Sequence, residues 1–393
     1  MRPEARVAAA IEILDGVLAD QAAEAALIRW SRANRFAGSG DRAAVRDLVF
    51  SALRCRGSCL ALSGQADLTG RALMIGHAVA SGARPDVIFT GEGYAPAPLS
   101  GDERAALASV TRLTEAELVR LDVPGWLLPA LEEALGPRAG DSLAAMRCRA
   151  PVYLRVNAGR SNPSSALKAL SAEGIVARPV EAEPLALEVT GNAGRIRTSA
   201  AYLGGLVEVQ DLSPQSAIAG LPLAGVRDAL DYCAGGGGKA LALAARGVGR
   251  IVAHDIAPGR MADLPDRAAR AGARIAVADG QALRGQVFDL VLLDVPCSGS
   301  GTWRRDPDAK WRLTPARLET LLATQAAILD AAPQYVRAGG AIAYMTCSLL
   351  EAENGARVAR FLAAHPAWTL TSERRFTPDT GGDGLYVAHL TRG

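Results

Sequence analysis

The chain has 393 residues, of which 49% are hydrophobic and 21% are charged, and its net charge at pH 7 is +2. This balance is typical of a globular protein with room for two or three domains of about 100–200 residues each. No apolar run approaches the roughly 20 residues that a membrane helix needs, so a membrane partner is not expected. The near-neutral charge does not by itself indicate a nucleic-acid partner.

The first 140 residues read as a small all-helical domain. Val7, Ile11, Leu14 and Leu18 recur at helical spacing, which predicts an amphipathic helix. Asp41 is a candidate N-cap for a further helix. Two patterns of the capping-box type predict the starts of two short helices, and they are Ser100-x-x-Glu103 and Thr114-x-x-Glu117.

From Pro151 onward, strands replace helices as the leading pattern. Val152 to Asn157 alternates like a strand, and residues 164–173 and 175–189 predict one helix and two more strands. The remainder alternates strand and helix, which predicts a parallel, doubly wound α/β sheet. The predicted strands are Asp228–Asp231, Arg250–Asp255, Arg274–Ala278, Phe288–Asp294 and Ala341–Met345.

A glycine-rich turn lies between the first of these strands and its helix. It runs from Asp231 to Lys239 and contains four consecutive glycines. Such a turn lets a ligand approach the backbone and the free N–H groups of a helix N-terminus. It fits dinucleotides, phosphates and methyl donors alike. A nucleotide-phosphate loop is the second choice, because Ala240 follows the lysine where that motif requires Ser or Thr.

Acidic residues end the next two strands of the predicted sheet. Asp255 lies 24 positions beyond Asp231, where an acid typically accepts hydrogen bonds from ribose hydroxyls. Asp279 ends the third strand, within reach of an adenine edge. Either acid alone could be a helix cap. Together with the glycine turn they predict one nucleoside pocket.

Two cysteines also follow apolar strands. Phe288 to Asp294 is a run of the kind found in buried central strands, and the Gly/Pro-rich loop after it contains Cys297. Ala341 to Met345 is a second such run, and Cys347 follows it. A lone cysteine is more often a buried structural residue. Two thiols that follow strand ends, next to an acidic residue, favour a catalytic role over a structural one.

A basic cluster with two tryptophans, Trp303 and Trp311, follows the first of these loops. Phosphate contact and base stacking are the functional interpretation, and aromatic packing beneath a solvated loop is the alternative. The predicted RNA-binding residues are Arg304, Arg305, Lys310 and Arg312. All but three of the 43 basic residues are arginine, so the placement of Lys239 and Lys310 in the two most unusual loops suggests a role for a compact ammonium.

These motifs resemble those of the Sun/RsmB family of RNA cytosine-5 methyltransferases. The resemblance lies in Asp231–Lys239, Asp294–Trp311 and Thr346–Ser348, in that order. Asp41–Arg54 resembles the NusB-like domain of the RsmB branch, and Pro151–Asn157 resembles its small RNA-binding module. The resemblance implies a Rossmann-like class I methyltransferase domain that uses S-adenosylmethionine, preceded by an all-α NusB-like domain and a small α+β module.

The resemblance also implies roles for three residues. Cys347 is the nucleophile that attacks carbon 6 of cytosine, and Asp294 hydrogen-bonds the base near nitrogen 3, for which it needs a proton. Cys297 is the second thiol, which helps to remove the carbon 5 proton and to release Cys347. The thiolate needs positive groups or dipoles nearby, for which Lys310 and Arg304 are candidates. The target base has to be unstacked to reach such a pocket.

The implied cofactor site comprises the glycine turn and the strand-end acids. Its residues are Asp231, Cys233, Ala234, Gly235, Gly236, Gly237, Gly238, Lys239, Asp255, Asp279 and Asp294. Gly235 and Gly236 stand where Ala-Pro is usual in the family, which predicts a less rigid turn and weaker cofactor binding. Ala240 replaces a hydroxyl residue and removes one possible cap.

We therefore predict three domains: a NusB-like helical RNA-binding domain (1–140), a small α+β RNA-recognition module (141–205) and a Rossmann-like methyltransferase domain (206–393). The predicted function is methylation of cytosine carbon 5 in 16S ribosomal RNA. Alternatives are the same chemistry on transfer RNA or 23S ribosomal RNA, a non-catalytic RNA-binding assembly factor, and a small-molecule methyltransferase. A monomer without metal is expected.

A cytoplasmic location is predicted from two features. The N-terminus has no secretory apolar segment, because Glu12 and Asp15 interrupt it. The cysteines are scattered and show no zinc-ligand spacing, which indicates free thiols in a reducing compartment. They are Cys55, Cys59, Cys148, Cys233, Cys297 and Cys347.

Overall fold

A computed structural model describes residues 1–392 and contains two compact units. The helical unit comprises Met1–Arg149 together with Trp303–Arg312, and the sheet unit comprises Ala150–Thr302 and the chain from Leu313 onward. None of the helices formed by residues 1–392 is both long enough and apolar enough to span a membrane.

The helices and strands are numbered in chain order. The helices are α1 (Pro3–Leu18), α2 (Ala23–Ala33), α3 (Ser39–Arg54), α4 (Arg56–Ser63), α5 (Gly70–Ala80), α6 (Pro85–Ile88), α7 (Gly101–Ser109), α8 (Glu115–Leu121), α9 (Leu128–Leu135), α10 (Ala139–Ala145), α11 (Pro163–Ala172), α12 (Ala200–Leu203), α13 (Leu212–Ala219), α14 (Gly238–Ala245), α15 (Leu264–Ala271), α16 (Pro307–Arg312), α17 (Pro315–Ala331) and α18 (Gly355–Ala364). The strands are β1 (Val152–Val156), β2 (Val176–Val180), β3 (Glu183–Gly191), β4 (Val207–Val209), β5 (Asp228–Asp231), β6 (Arg250–Ala253), β7 (Ile275–Val277), β8 (Phe288–Asp294), β9 (Val336–Thr346), β10 (Trp368–Phe376) and β11 (Leu385–Arg392).

The helical unit follows the local signals of its sequence. Both predicted capping boxes form, with Ser100 and Glu103 starting α7 and Thr114 and Glu117 starting α8. The predicted cap at Asp41 is wrong, because α3 already begins at Ser39. The Asp41 carboxylate instead accepts hydrogen bonds from the N-terminal ammonium and Arg6, an arrangement between residues far apart in the chain.

The segment Trp303–Arg312 belongs to the helical unit. Trp303 is 1% exposed, and Trp311 Nε1 donates to the carbonyl of Leu53 at 2.7 Å. Arg54 Nε donates to the carbonyl of Arg304 at 2.7 Å. Trp311 therefore packs against α3 and Trp303 is buried, which fits packing, the alternative to base stacking.

The four basic residues of this segment have different environments. Arg304 is 3% and Lys310 2% exposed, so neither is available to a phosphate in this structure. Arg312 pairs with Asp308 and Asp20, and Arg305 is exposed. The RNA-binding prediction therefore stays open for Arg305 and Arg312. For Arg304 and Lys310 it stays a prediction that their burial disfavours, since the Lys310 ammonium donates to the carbonyls of Arg54 and Asp122.

The buried Lys310 predicts a pH-dependent stability. Its ammonium donates to the carbonyls of Arg54 and Asp122, and burial lowers its pKa from 10.5 to about 8, opposed by the charge of Asp122. Between those two pH values the unfolded chain binds more protons than the folded one. The free energy of unfolding should therefore rise with pH from about 8 to 10.5 through this residue.

Lys310→Met should abolish this contribution. Urea unfolding at a series of pH values, followed by tryptophan fluorescence, should show a shallower rise for the variant than for the wild type. Four of the five tryptophans lie in the helical unit, so the signal reports mainly on it. Equal pH slopes for the two proteins would contradict this assignment.

The small sheet of the sheet unit is antiparallel, with strand order β2-β3-β1-β4. Its core contains Leu154 and Val156 from β1 and Leu170 from α11. β4 pairs with β1, so Val207–Val209 joins this sheet although the predicted boundary assigned it to the methyltransferase domain. The three-domain limits otherwise stay a prediction.

The large sheet has the strand order β10-β11-β9-β8-β5-β6-β7. The five strands from β9 to β7 are parallel, and β11 and β10 extend the sheet antiparallel. Side chains of β8 alternate between two cores. Val291 and Leu293 pack with α17 and α18, whereas Leu290 and Leu292 pack with α13 and α14. This confirms the predicted doubly wound α/β fold, with its central strands buried on both faces.

Candidate functional site

The chemistry-bearing residues gather at one edge of the large sheet. Asp231 ends β5, Asp255 follows β6, Asp294 ends β8 and Cys347 follows β9. These strands are neighbours in the order β6-β5-β8-β9 and run parallel, so their carboxyl ends meet at the same edge. Ligands of open α/β sheets bind at this edge.

The two strand-end thiols are in contact. The Sγ atoms of Cys297 and Cys347 lie 3.3 Å apart, although 50 residues separate them in the sequence. The hydrogen bond with Cys347 raises the pKa of Cys297 well above its ordinary value, and burial and the nearby charges of Cys347 and Glu353 raise it further. Cys297 therefore keeps its proton at neutral pH and can donate it toward the sulfur of Cys347.

Lys239 connects the glycine turn to the thiols. Its Nζ donates to Asp294 Oδ2 at 2.5 Å. Burial alone would lower the pKa of Lys239, but the charge and hydrogen bond of Asp294 outweigh it, and the charges of Cys347 and Asp231 add to the rise. The positive group beside Cys347 is therefore Lys239. Lys310 and Arg304, the candidates named from the sequence, belong to the helical unit, and their role beside the thiols stays a prediction.

The glycine turn has a backbone that requires glycine. Gly235 and Gly237 have φ angles of +50° and +75°, in the left-handed region. A Cβ atom at Gly237 would lie 2.2 Å from Leu264 Cδ1. Asp231 is fully buried beneath this turn, and its Oδ2 accepts from the N–H of Ala240 at 3.1 Å. Ala240 thus receives its cap from Asp231, which compensates for the missing hydroxyl.

Only one oxygen of the buried Asp231 carboxyl accepts a hydrogen bond from the residues that the structure describes. Its Oδ1 has no hydrogen-bond partner among residues 1–392. Burial, reinforced by the charge of Asp294, raises the pKa of Asp231 to about 7. Burial likewise raises the pKa of Cys233, next in the turn, to about 12, so this third thiol is inert. Ala234 donates its N–H to the carbonyl of His254.

The other two predicted cofactor acids differ in environment. Asp255 is 2% exposed, and its Oδ2 accepts from the Gly235 N–H at 2.9 Å and from Arg260 at 3.0 Å. Asp279 is exposed, and its Oδ1 caps the turn formed by Gln281 and Ala282. Asp255 Oδ1 also accepts from the N–H of Ala257 at 2.9 Å, so both acids make local caps, and only Asp255 is buried.

Comparison with known proteins identifies the family. Residues 222–391 match the model for 16S rRNA methyltransferase RsmB/F, and residues 123–194 match the RsmF/B-like ferredoxin-like domain. The ribosomal RNA small subunit methyltransferase B of Citrobacter koseri is 31% identical over 305 residues, which are 74% of this chain and 70% of that protein. The chain belongs to the RsmB/F methyltransferase family. This confirms the resemblance inferred from the three motifs.

Two further comparisons agree with this family assignment. The RsmB protein of Xylella fastidiosa is 33% identical over 288 residues, covering 68% of this chain and 67% of that protein. The crystal structure of PH0851 covers 99% of both chains with a TM-score of 0.75 and 22% identity, which shows the shared fold. The family is one of S-adenosylmethionine-dependent ribosomal RNA methyltransferases, and the N-terminal helices are consistent with its NusB-like domain.

One buried residue of this RsmB/F site, Glu353, is not among those predicted from the sequence. Glu353 is fully buried, and its carboxylate accepts hydrogen bonds from Ser298 and Ser348, the residues that follow the two cysteines. A signal was present, since Glu351-Ala352-Glu353-Asn354 follows Thr346-Cys347-Ser348 closely. An acidic turn of this kind is usually solvated, so its burial could be learned only from the fold.

Proposed function

We propose that this protein transfers a methyl group from S-adenosylmethionine to carbon 5 of a cytosine in small-subunit ribosomal RNA, through a covalent adduct on Cys347. The observation that carries the proposal is the 3.3 Å contact between the Sγ atoms of Cys297 and Cys347. The two cysteines follow β8 and β9, at the same edge of the sheet as Asp231 and Asp294. Carbon 5 of cytosine is a poor nucleophile. A thiolate added at carbon 6 gives the ring the enamine character that it needs.

The protonation of the thiols supports Cys347 as the nucleophile. The thiolate is the reactive form of cysteine, and Cys297 keeps its proton because its pKa is raised. Cys347 lies close enough to the ammonium of Lys239 for the two groups to interact electrostatically. Attack therefore forms the bond from Cys347 Sγ to carbon 6.

Asp294 and Lys239 act on the other side of the base in this proposal. Addition of a thiolate at carbon 6 places negative charge on the ring, which a proton near nitrogen 3 neutralises. Asp294 has to carry that proton, and the Lys239 ammonium 2.5 Å from its Oδ2 is a direct source. In this proposal the ion pair of Lys239 and Asp294 therefore provides the proton that neutralises the ring near nitrogen 3.

Cys297 takes part after methylation. The hydrogen bond and the charge of Cys347 are among the causes that raise the pKa of Cys297. Both change when Cys347 becomes a neutral thioether bonded to carbon 6. The proton of Cys297 is then more easily lost to water, and the resulting thiolate takes the carbon 5 proton. The electron pair left at carbon 5 forms the ring double bond as the bond to Cys347 breaks, and the proton near nitrogen 3 returns through Asp294 to Lys239.

The residues at this edge fit S-adenosylmethionine, which supplies an electrophilic methyl group from a sulfonium centre. The ligand is cationic at its sulfonium and ammonium, and Asp231, Asp255 and Asp294 place three carboxyl groups at neighbouring strand ends. Within residues 1–392, Asp231 also has a buried oxygen without a hydrogen-bond partner. The glycine turn leaves room for close approach. We propose these residues and Lys239 as the cofactor site, with Asp279 at its exposed rim.

Methyl transfer to defined RNA tests the function. The purified protein and labelled S-adenosylmethionine should label unmodified 16S ribosomal RNA or small subunits, and bisulfite sequencing should locate 5-methylcytosine there. The relatives are named for the small-subunit RNA, which is why this substrate is favoured. Labelling of transfer RNA or 23S RNA instead would show that this RNA, and not 16S RNA, is the substrate. Binding of RNA without any methyl transfer would indicate an assembly factor.

A further inference from the structure

Glu353 has an unusual position for a charged residue. It is 0% exposed, and a carboxylate removed from water is costly unless hydrogen bonds replace the lost solvation. Four donors meet it here. Oε1 accepts from the backbone N–H of Ser298 at 2.8 Å and from Gln325 Nε2 at 2.9 Å, and Oε2 accepts from the hydroxyls of Ser298 and Ser348.

The donors come from both cysteine loops and from the helix that covers them. Ser298 follows Cys297, Ser348 follows Cys347, and Gln325 lies on α17. The Nε2 of Gln325 also donates to the carbonyl of Pro296 at 2.9 Å, on the other side of Cys297. The Glu353 carboxylate thus holds Ser298 and Ser348, the residues after the two cysteines. Through Gln325 it also holds Pro296, the residue before Cys297.

The turn that carries Glu353 is itself fixed to β9. Tyr344 donates its hydroxyl hydrogen to the carbonyl of Glu353 at 2.7 Å. Asn354 accepts from Thr346 Oγ1 at 2.6 Å and donates to the carbonyl of Ser348 at 3.0 Å. Glu353 therefore cannot move without disturbing β9, and the carboxylate is a rigid reference point for both loops.

We propose that Glu353 is a positioning residue that holds the sulfur atoms of Cys297 and Cys347 in contact. It touches neither reacting atom and acts through Ser298 and Ser348. A hydrophobic side chain could fill the same space, but it could not join two loops by hydrogen bonds of fixed direction. The catalytic consequence of this inference rests on the proposed function, whereas the geometric consequence does not.

The geometric consequence can be measured without RNA or cofactor. Oxidised glutathione converts two adjacent thiols to a disulfide and is itself reduced to two glutathione thiols. The rate of Cys297–Cys347 disulfide formation, followed by mass spectrometry of the joined peptides, reports how well the sulfurs are held together. Glu353→Ala should slow it by about tenfold or more, because intramolecular reactions depend steeply on the placement of the reacting atoms.

The same variants give the catalytic consequence. Glu353→Ala should lower kcat for methyl transfer by about 10²-fold while KM for 16S RNA stays unchanged, the pattern expected when only the placement of reacting groups is lost. Glu353→Gln should recover part of both rates, because one amide oxygen remains and the serine hydroxyls can turn to accept from the amide. The matched control is Glu351→Ala, an exposed acid of the same turn that pairs with Arg375, and it should behave as wild type.

The outcomes separate the two proposals. If Glu353→Ala is folded and forms the disulfide as fast as wild type, the positioning role is wrong. If disulfide formation slows as expected but wild type methylates no cytosine, the positioning role stands and the proposed function is wrong. Should Glu353→Ala fail to fold, Ser348→Ala, which removes one of the four donors to Glu353 together with the acceptor of the Leu350 N–H, replaces it and is expected to slow both reactions less strongly.

Discussion

Cys297→Ala should accumulate a covalent protein–RNA complex, whereas Cys347→Ala should form none and should lose methyl transfer. Without Cys297 the base that removes the carbon 5 proton is absent, so the adduct on Cys347 persists. Without Cys347 no bond to carbon 6 forms. Loss of a catalytic nucleophile typically lowers the rate by roughly 10³-fold or more. Denaturing gels of protein incubated with S-adenosylmethionine and 16S RNA measure the adduct, and labelled methyl transfer measures activity.

The thiol pair supplies its own controls. The double variant lacking both thiols should give no adduct, which shows that any adduct in Cys297→Ala is on Cys347. Cys148→Ala removes an exposed thiol of the helical unit and should behave as wild type. Equal adduct from both single variants, or adduct from neither, would overturn the assignment of the two roles.

Lys239→Met should reduce methyl transfer by about 10²-fold or more, the scale of losing one preorganised electrostatic donor. The variant removes the ammonium that pairs with Asp294 and interacts with the sulfur of Cys347. The variant then has no ammonium beside the sulfur of Cys347 and no proton donor beside Asp294. The rate of Cys347 alkylation by iodoacetamide at pH 7, scored by mass spectrometry, should fall together with the methylation rate.

Two lysine variants make this test specific. Lys239→Arg keeps the positive charge but replaces the compact ammonium with a planar guanidinium, so it should recover alkylation better than methyl transfer. Lys168→Met removes an exposed lysine on α11 and should leave both rates unchanged. If alkylation of Cys347 is as fast in Lys239→Met as in wild type, Lys239 does not support the thiolate.

Several elements of the fold could be predicted because their signals are local. The capping boxes at Ser100 and Thr114 involve side chains three residues apart, which a sequence displays directly. The run Phe288–Asp294 was identified as a central strand because burial on both faces requires continuous apolar residues. Where a cap depends on a distant partner the prediction is wrong, as at Asp41, whose partners are Met1 and Arg6.

The sequence by itself determined the fold class and the strand ends that hold the acids and thiols. This was possible because the periodicity of hydrophobic residues and the position of a glycine-rich turn can both be read from short segments of the chain. Only the tertiary structure decided which charges act there. Lys239 and Lys310 both follow unusual loops, yet Lys239 pairs with Asp294 and Lys310 is enclosed among backbone carbonyls of the helical unit. The 3.3 Å contact of Cys297 and Cys347 and the burial of Glu353 likewise depend on strand order and packing, which bring together residues that no local pattern connects.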